Sequence, residues 1–356
     1  MSFWNNTTAS PSVWQTLWLA DKTPRYLRPG PPRPVPNFWT GPSGVVGTLV
    51  RLFGTDADRV SEFLTMYYRG PDWHMGRVSS WIGSYLRDAD VIAIGVEDND
   101  HHLMGVIFST PFTTSNTIMS HGANLQNVRV IEGLAVATPF RSAGLAGYLI
   151  AQADAFTHRI HGRAVHLWSR EVQMPAAFST AITSDLYGYR RGGAVVASTP
   201  RIISWDSFTE LWRRHAWRWP AVEGVEPCII GLTPSNRRGG LVVYAVGERL
   251  TVVSRTDRVS GGGEHIYEIV WCGRLVEGVL LPPPADVSFK PLLDAVAESL
   301  PSDTILFGTT APTGGGLRQA WDGWTVGRSG AHEWNLYNYV APAYGSCRIY
   351  AIREEL

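Results

Sequence analysis

The stretch GLAVATPFRSAGLAGYLI, residues 133–150, constrains the fold more than any other part of the chain. An apolar strand, VRVIEGLAVATP (128–139), is interrupted at Gly133 and ends at a proline. The loop Arg141-Ser142-Ala143-Gly144-Leu145-Ala146 runs straight into SAGLAGYLIAQADAFTHRI (142–160), where Leu145, Leu149, Ala153 and Phe156 recur at helical spacing. AVHLWS (164–169) reads as the next strand. This order of strand, loop, helix and strand belongs to an α/β fold. A helix N-terminus offers unpaired N–H groups and a partial positive charge. Gly144 and Ala146 let phosphate oxygens approach those groups, and Arg141 adds a cation. The loop is therefore a candidate pyrophosphate cradle. It lacks the GK[ST] of a P-loop, and it is not a GxGxxG following a first strand.

The rest of the chain supplies matching elements. TDADRVSEFLTMYY (55–68) puts Val60, Phe63, Leu64 and Tyr67 on one helical face, and residues 77–87 read as a second short helix. VIAIGV (91–96) and HLMGVIFSTP (102–111) form a hairpin, joined by the turn residues EDNDHH. In the second half, LVVYAV, LTVVS, HIYEIVW, LVEGVLL and TILFG read as strands, and VSFKPLLDAVAESL (287–300) reads as a helix. Four segments follow: an aromatic, Pro-rich arm (1–44), a first half (45–200), a linker helix (201–220) and a second half (221–356).

Composition closes off several function classes. Lys+Arg and Asp+Glu are both 31, so bulk charge gives no argument for a nucleic-acid partner. Trp212, Arg213, Arg214, Trp217, Arg218 and Trp219 interleave rings with bases, which suits either base stacking or a packed linker helix with snorkelling arginines. The packed helix is the expectation. Cys228, Cys272 and Cys347 stand far apart, which argues against a disulfide framework or cysteine zinc site and points to a reducing compartment. His158, His161 and His166 fall on different elements, and Asp98, Asp100, His101 and His102 fall in a turn, so no metal is expected. No apolar run is long enough to span a membrane, and MSFWNNTTAS lacks signal-peptide character. A cytoplasmic monomer is expected.

The loop RSAGLA resembles the coenzyme A loop, [RQ]xxGx[GA], of the GCN5-related N-acetyltransferase superfamily. There the preceding strand carries a bulge and splays from its neighbour to admit pantetheine, and Gly133 falls where that bulge belongs. IEGLAVATPFRSAGLAGYLI is more closely similar, without a gap, to the corresponding stretch of eukaryotic protein N-myristoyltransferases. PSVWQT, HLWSREVQMP and WNLYNYVAPAYG resemble three further segments of that family, in the same order. The resemblance implies an α/β fold of two tandem acetyltransferase-like halves, with mixed sheets related by a pseudo-twofold. It implies acyl-CoA, myristoyl-CoA or acetyl-CoA, as co-substrate, with no permanently bound cofactor. Trp14, Val136, Arg141, Ser142, Ala143, Gly144, Leu145 and Ala146 would contact it. The backbone N–H groups of Gly133 and Leu134 would form an oxyanion hole, and the carboxylate of Leu356 would take the proton of an N-terminal glycine. Ser169, Thr180, Tyr337 and Asn338 would line the groove for a glycine-terminated peptide or protein. The residues themselves offer Glu132 as another base, or as a buried carboxylate paired with an arginine. A short-chain acetyltransferase and an inactive acyl-CoA- or peptide-binding module are the alternative functions.

Overall fold

Short apolar runs separated by glycine- and proline-rich turns build two mixed sheets. The computed structural model describes residues 34–42, 44–70, 73–76, 81–112, 127–162, 164–170, 179–185, 187–190, 198–216, 219, 229–232, 239–282, 288–309 and 332–337, and strands at 25–26, 325–326, 339–340 and 349–352. In chain order the first part gives β1 (Arg25–Tyr26), β2 (Phe38–Thr40), β3 (Val46–Arg51), α1 (Ala57–Tyr67), β4 (Trp73–Met75), α2 (Trp81–Leu86), β5 (Ile92–Glu97) and β6 (Leu103–Phe112). Then come β7 (Val128–Val136), α3 (Leu145–His161), β8 (Val165–Arg170), β9 (Ser179–Asp185) and β10 (Tyr187–Arg190). The second part gives β11 (Arg201–Ile203), α4 (Trp205–His215), β12 (Ile229–Leu232), β13 (Leu241–Val246), β14 (Arg249–Ser260), β15 (His265–Val276) and β16 (Val279–Leu281). It closes with α5 (Lys290–Ser299), β17 (Thr304–Thr309), β18 (Thr325–Val326), β19 (His332–Tyr337), β20 (Tyr339–Val340) and β21 (Ile349–Ile352).

The first sheet runs β2-β3-β5-β6-β7-β8-β19-β9. Every residue of β5 is buried, as expected of a strand covered on both faces. On one face, α1 and α2 bring Val60, Phe63, Leu64, Ile82 and Leu86 against Val106 and Phe108. On the other, α3 brings Leu145, Leu149 and Ala153 against Ile92, Ile94 and Ile131. Gly162 ends α3 with a φ of 78° that other residues rarely adopt.

The second sheet runs β11-β13-β14-β15-β17-β10-β18, with β16 added on β15 and β4 on β14. The two sheets exchange strands. β19 lies between β8 and β9 in the first sheet, while β10 lies between β17 and β18 in the second. The expected α/β architecture of two tandem halves, each with its own mixed sheet, is thus in place, interlocked by reciprocal strands.

One expected strand is corrected. LVEGVLL is not a single strand but the end of β15, a two-residue turn and β16. Glu277 (φ 50°) and Gly278 (φ 81°) both take left-handed backbone, the geometry of a tight hairpin turn. Among the described residues, no helix is long and apolar enough to cross a membrane.

Candidate functional site

The break read at Gly133 is a β-bulge. Phe108 faces Glu132 and Val106 faces Ala135, so Ile107 alone is opposed by both Gly133 and Leu134. Gly133 has φ 57°, which an L side chain would strain and glycine adopts freely. On its other edge β7 pairs in parallel with β8 only through Val128↔Val165, Arg129↔His166 and Val130↔Leu167. β8 then continues to Arg170 along β19. The ladder therefore ends at Val130, with two residues between it and the bulge, and the strands part on the side where Glu132, Gly133 and Leu134 lie.

Past β7, a single 3-10 turn (Thr138–Phe140) leads into the loop. Ser142 (φ 62°) and Gly144 (φ 82°) are left-handed, and alternation of hand curls successive N–H groups toward one side. Gly144 occupies the N-cap without a side-chain cap, and the first helical bond is Tyr148 N–H to Gly144 O, 3.1 Å. The N–H groups of Leu145, Ala146 and Gly147 thus enter α3 without helical acceptors. A Cβ on Gly144 would meet nothing within 4 Å, so the space above the cap is open. The Leu145 side chain is buried in the core, and it can serve a ligand only through its backbone. Arg141 is exposed but anchored: Nε donates to Val136 O and Nη2 to Tyr67 O, each at 3.1 Å. Val136 packs half-buried toward α3.

Glu132 stands at the bulge, half-buried. Its carboxylate Oε1 accepts the hydroxyl of Tyr85, which reaches across from α2. Tyr85 is thus one partner of this carboxylate. The Tyr85 ring packs edge-on against Phe108, with centroids 5.6 Å apart and planes at 76°.

No protein-family model matches the sequence, and no curated protein matches it. Solved structures do share the fold. A crystal structure of Saccharomyces cerevisiae N-myristoyltransferase with bound myristoyl-CoA aligns at a TM-score of 0.62, covering 93% of this chain and 89% of that one, with 14% identity. A second structure of the yeast enzyme with bound myristoyl-CoA gives 0.60, 89% and 87% coverage and 14% identity. A third, with myristoyl-CoA and inhibitors, gives 0.59, 91% and 86% coverage and 13% identity. The chain has the N-myristoyltransferase fold. At this identity the likeness is one of architecture.

Within that fold, the other expected site residues divide by placement. Ser169 lies on β8 opposite Trp334, and Thr180 lies on β9 opposite Asn335, so the two flank β19. Tyr337, at the end of β19, faces His166. Trp14, Asn338 and Leu356 lie outside the described residues.

Sequence reasoning missed a buried polar group beneath the parting strands. Arg129 is 2% exposed, and its Nε donates to Ser109 Oγ at 2.9 Å. Its Nη2 donates to Ser109 O at 2.7 Å and to Asp90 O. Burial lowers this guanidinium to about 10, which leaves it charged at neutral pH. His166, directly opposite on β8, is 1% exposed, and burial first, then Arg129, push it down to about 3. It is neutral at pH 7, with Nε2 3.3 Å from Thr157 Oγ1 and Nδ1 3.6 Å from Asp154 Oδ1. Hydrogen bonding is what makes such burial tolerable.

The Trp/Arg segment takes the packed form. Trp212 and Trp219 are buried with Trp271, and the rings of Trp219 and Trp271 stack at 5.8 Å. These rings are therefore committed to the core. Arg213 and Arg214 face solvent, and Arg214 pairs with Glu210 at 2.9 Å. Trp217 and Arg218 lie outside the described residues. At the β5–β6 turn, Asp98, Asp100 and His102 bring ligand atoms within 4.8 Å of one another. Asp98 Oδ1 already accepts the N–H groups of Asp100 and His102, each at 2.9 Å.

Proposed function

We propose that this protein is an acyl-CoA-dependent N-acyltransferase that moves a fatty acyl group, myristoyl by preference, onto the N-terminal glycine of a peptide or protein. The observation that carries this reading is the bulge at Gly133 and Leu134, which sits where the β7–β8 ladder has ended and immediately upstream of an uncapped, left-handed helix entrance. The pyrophosphate of coenzyme A suits the N–H groups at the start of α3, with Arg141 beside them. The pantetheine arm suits the gap between the parting strands and brings the thioester to the bulge. The myristoyl-CoA named with the yeast structures supports the same donor here.

The chemistry is direct aminolysis. Glu132 takes a proton from the glycine ammonium, and the free amine attacks the thioester carbonyl. The N–H groups of Gly133 and Leu134 hold the developing oxyanion, and donors of this kind contribute about 3–4 kcal/mol each. The tetrahedral intermediate passes its second amine proton to the departing sulfur, so coenzyme A leaves as the free thiol and an amide remains, with no covalent enzyme intermediate. In this reading residues 45–200 take the acyl-CoA, and Ser169, Thr180, Tyr337 and Asn338 guide the peptide between the halves.

The first test is native mass spectrometry with equimolar acetyl-CoA and myristoyl-CoA, followed by turnover with a glycine-terminated peptide. Retention of myristoyl-CoA with peptide acylation is the expected result. Preference for acetyl-CoA would replace the fatty acyl donor with a short one, and retention of neither would remove the coenzyme site. Removing residues 354–356 separates the two candidate bases: turnover is expected to survive if Glu132 takes the proton and to collapse if the tail does.

A further inference from the structure

Glu132 does not stand alone at the bulge. It is the cross-strand partner of Phe108 on β6, and Phe108 is the ring against which Tyr85 packs. Register alone therefore places the Tyr85 ring beside the Glu132 side chain. The helix that carries Tyr85 is held firmly, because Ile82 and Leu86 of α2 are buried in the same cluster as Phe108. The phenol has one rotatable proton, and it is spent on Glu132 Oε1.

We propose that Tyr85 is a positioning residue for Glu132: its hydroxyl donates to the carboxylate, aims it along the bulge and keeps it ionised. The proposal rests on Glu132 being the base. A hydrogen bond to the charged form of an acid favours that form, so the carboxylate is ready to accept a proton at lower pH than a half-buried glutamate otherwise would be. The aim matters as much, since a base must lie within hydrogen-bond reach of the proton it removes.

The surrounding charges reinforce the donor. Arg129, three residues earlier on β7, is electrostatically coupled to Tyr85, whose phenolate form favours the guanidinium charge. By reciprocity the buried guanidinium makes the phenol a stronger donor. Among the described residues, the other charged or titratable groups interacting with Arg129 are Asp88 and Asp90 before β5, His161 at the end of α3, and neutral His166 on β8.

The experiment is a pH titration of the full ligand-free chain labelled with 13C at glutamate carboxyls, comparing wild type with Tyr85→Phe. Glu132→Gln identifies the signal. The Tyr85→Phe change keeps the ring against Phe108 and removes only the donor. A hydrogen bond to a charged group is worth enough that its loss should raise the Glu132 midpoint by about one to two pH units. The acid limb of kcat/KM should move up by the same interval, with kcat reduced and KM for acyl-CoA unchanged. Superimposable titrations in the two proteins overturn the proposal while leaving Glu132 as base. Full turnover by Glu132→Gln overturns the base itself, and the positioning role with it, whatever the titration shows.

Discussion

Each half of the chain builds a strand, helix, strand unit in which the outer two strands pair in parallel, and the two copies part ways just beyond that pairing. In the first, β7 and β8 pair through three residues, a glycine bulge follows, and α3 opens on Gly144. In the second, β15 and β17 pair through four residues, and a bulge follows at Val270, between Ile269 and Trp271. Here the bulged residue is not left-handed. The turn at Glu277 and Gly278 folds β16 back along β15, and Trp219 Nε1 secures it by donating to Leu280 O at 3.0 Å. α5 begins at a fully buried Phe289, followed by Lys290 and Pro291, where α3 has open space above a glycine. One copy leaves its crevice open, and the other fills it with its own chain. The acyl-CoA site proposed above belongs to the copy whose crevice is open.

The comparison breaks most sharply at the bulge. Gly133→Val gives the first copy the residue type of the second, at a backbone angle that a β-branched side chain resists. Turnover should fall about 10²- to 10³-fold, the effect of misplacing an oxyanion donor, while circular dichroism retains the α/β signature. Equal turnover would remove the bulge from the chemistry.

A smaller effect is expected at the helix entrance. Gly144→Ala places a Cβ in open space but at φ 82°, a strain of about 1–2 kcal/mol. If acyl-CoA binding needs that backbone, its Kd should rise about tenfold by calorimetry, with kcat nearly unchanged at saturation. Gly162→Ala at the other end of α3 is strained at least as much, at φ 78° and ψ −165°, a region essentially reserved for glycine, with nothing within 4 Å. It should lower Tm without altering Kd, so equal effects of the two changes on Kd would dissolve the distinction between the helix ends.

The smallest effect separates the copies by acidity. His166 is held neutral in the fold, well below its unfolded value near 6.5, so the unfolded chain binds the extra proton between those two values. The associated stability is complete above about pH 6.5 and is lost as pH falls toward 3. One step before the end of its ladder, the second half pairs Tyr267 with Leu306 instead, with no histidine in the pair. His166→Asn should therefore flatten the acid side of the Tm profile. An unchanged acid slope would place the first half's acid sensitivity elsewhere.

Much of this was legible in the chain, for local reasons. Gly133 interrupting an apolar strand, and Gly144 before a helical repeat, announce left-handed backbone where a helix and strand meet. α1, α3 and α5 declared themselves by period. The Trp212 and Trp219 rings were weighed as core, and they are. What stayed hidden depends on partners distant in sequence. Arg129 sits in VRVIEG as an ordinary alternating polar residue, and only Ser109 and the Asp90 carbonyl make its burial possible. Tyr85 belongs to no motif, because its meaning comes from Phe108 and Glu132 across the sheet. The hairpin at 275–281 was obscured by Glu277, a residue type seldom found in left-handed turns. The exchange of β10 and β19 has no local signature at all.

That exchange sets an order of birth. The first sheet is complete only when β19 lies beside β8, yet β19 is translated roughly 160 residues after β8. At ordinary elongation rates that interval is on the order of 10–30 s. During it the nascent first half exposes the edge of β8, and such unpaired edges invite wrong partners. The half that leaves the ribosome first is thus among the last parts of the molecule to be closed. A chain of this design matures as one piece, and its two halves are not separable units of inheritance or of engineering.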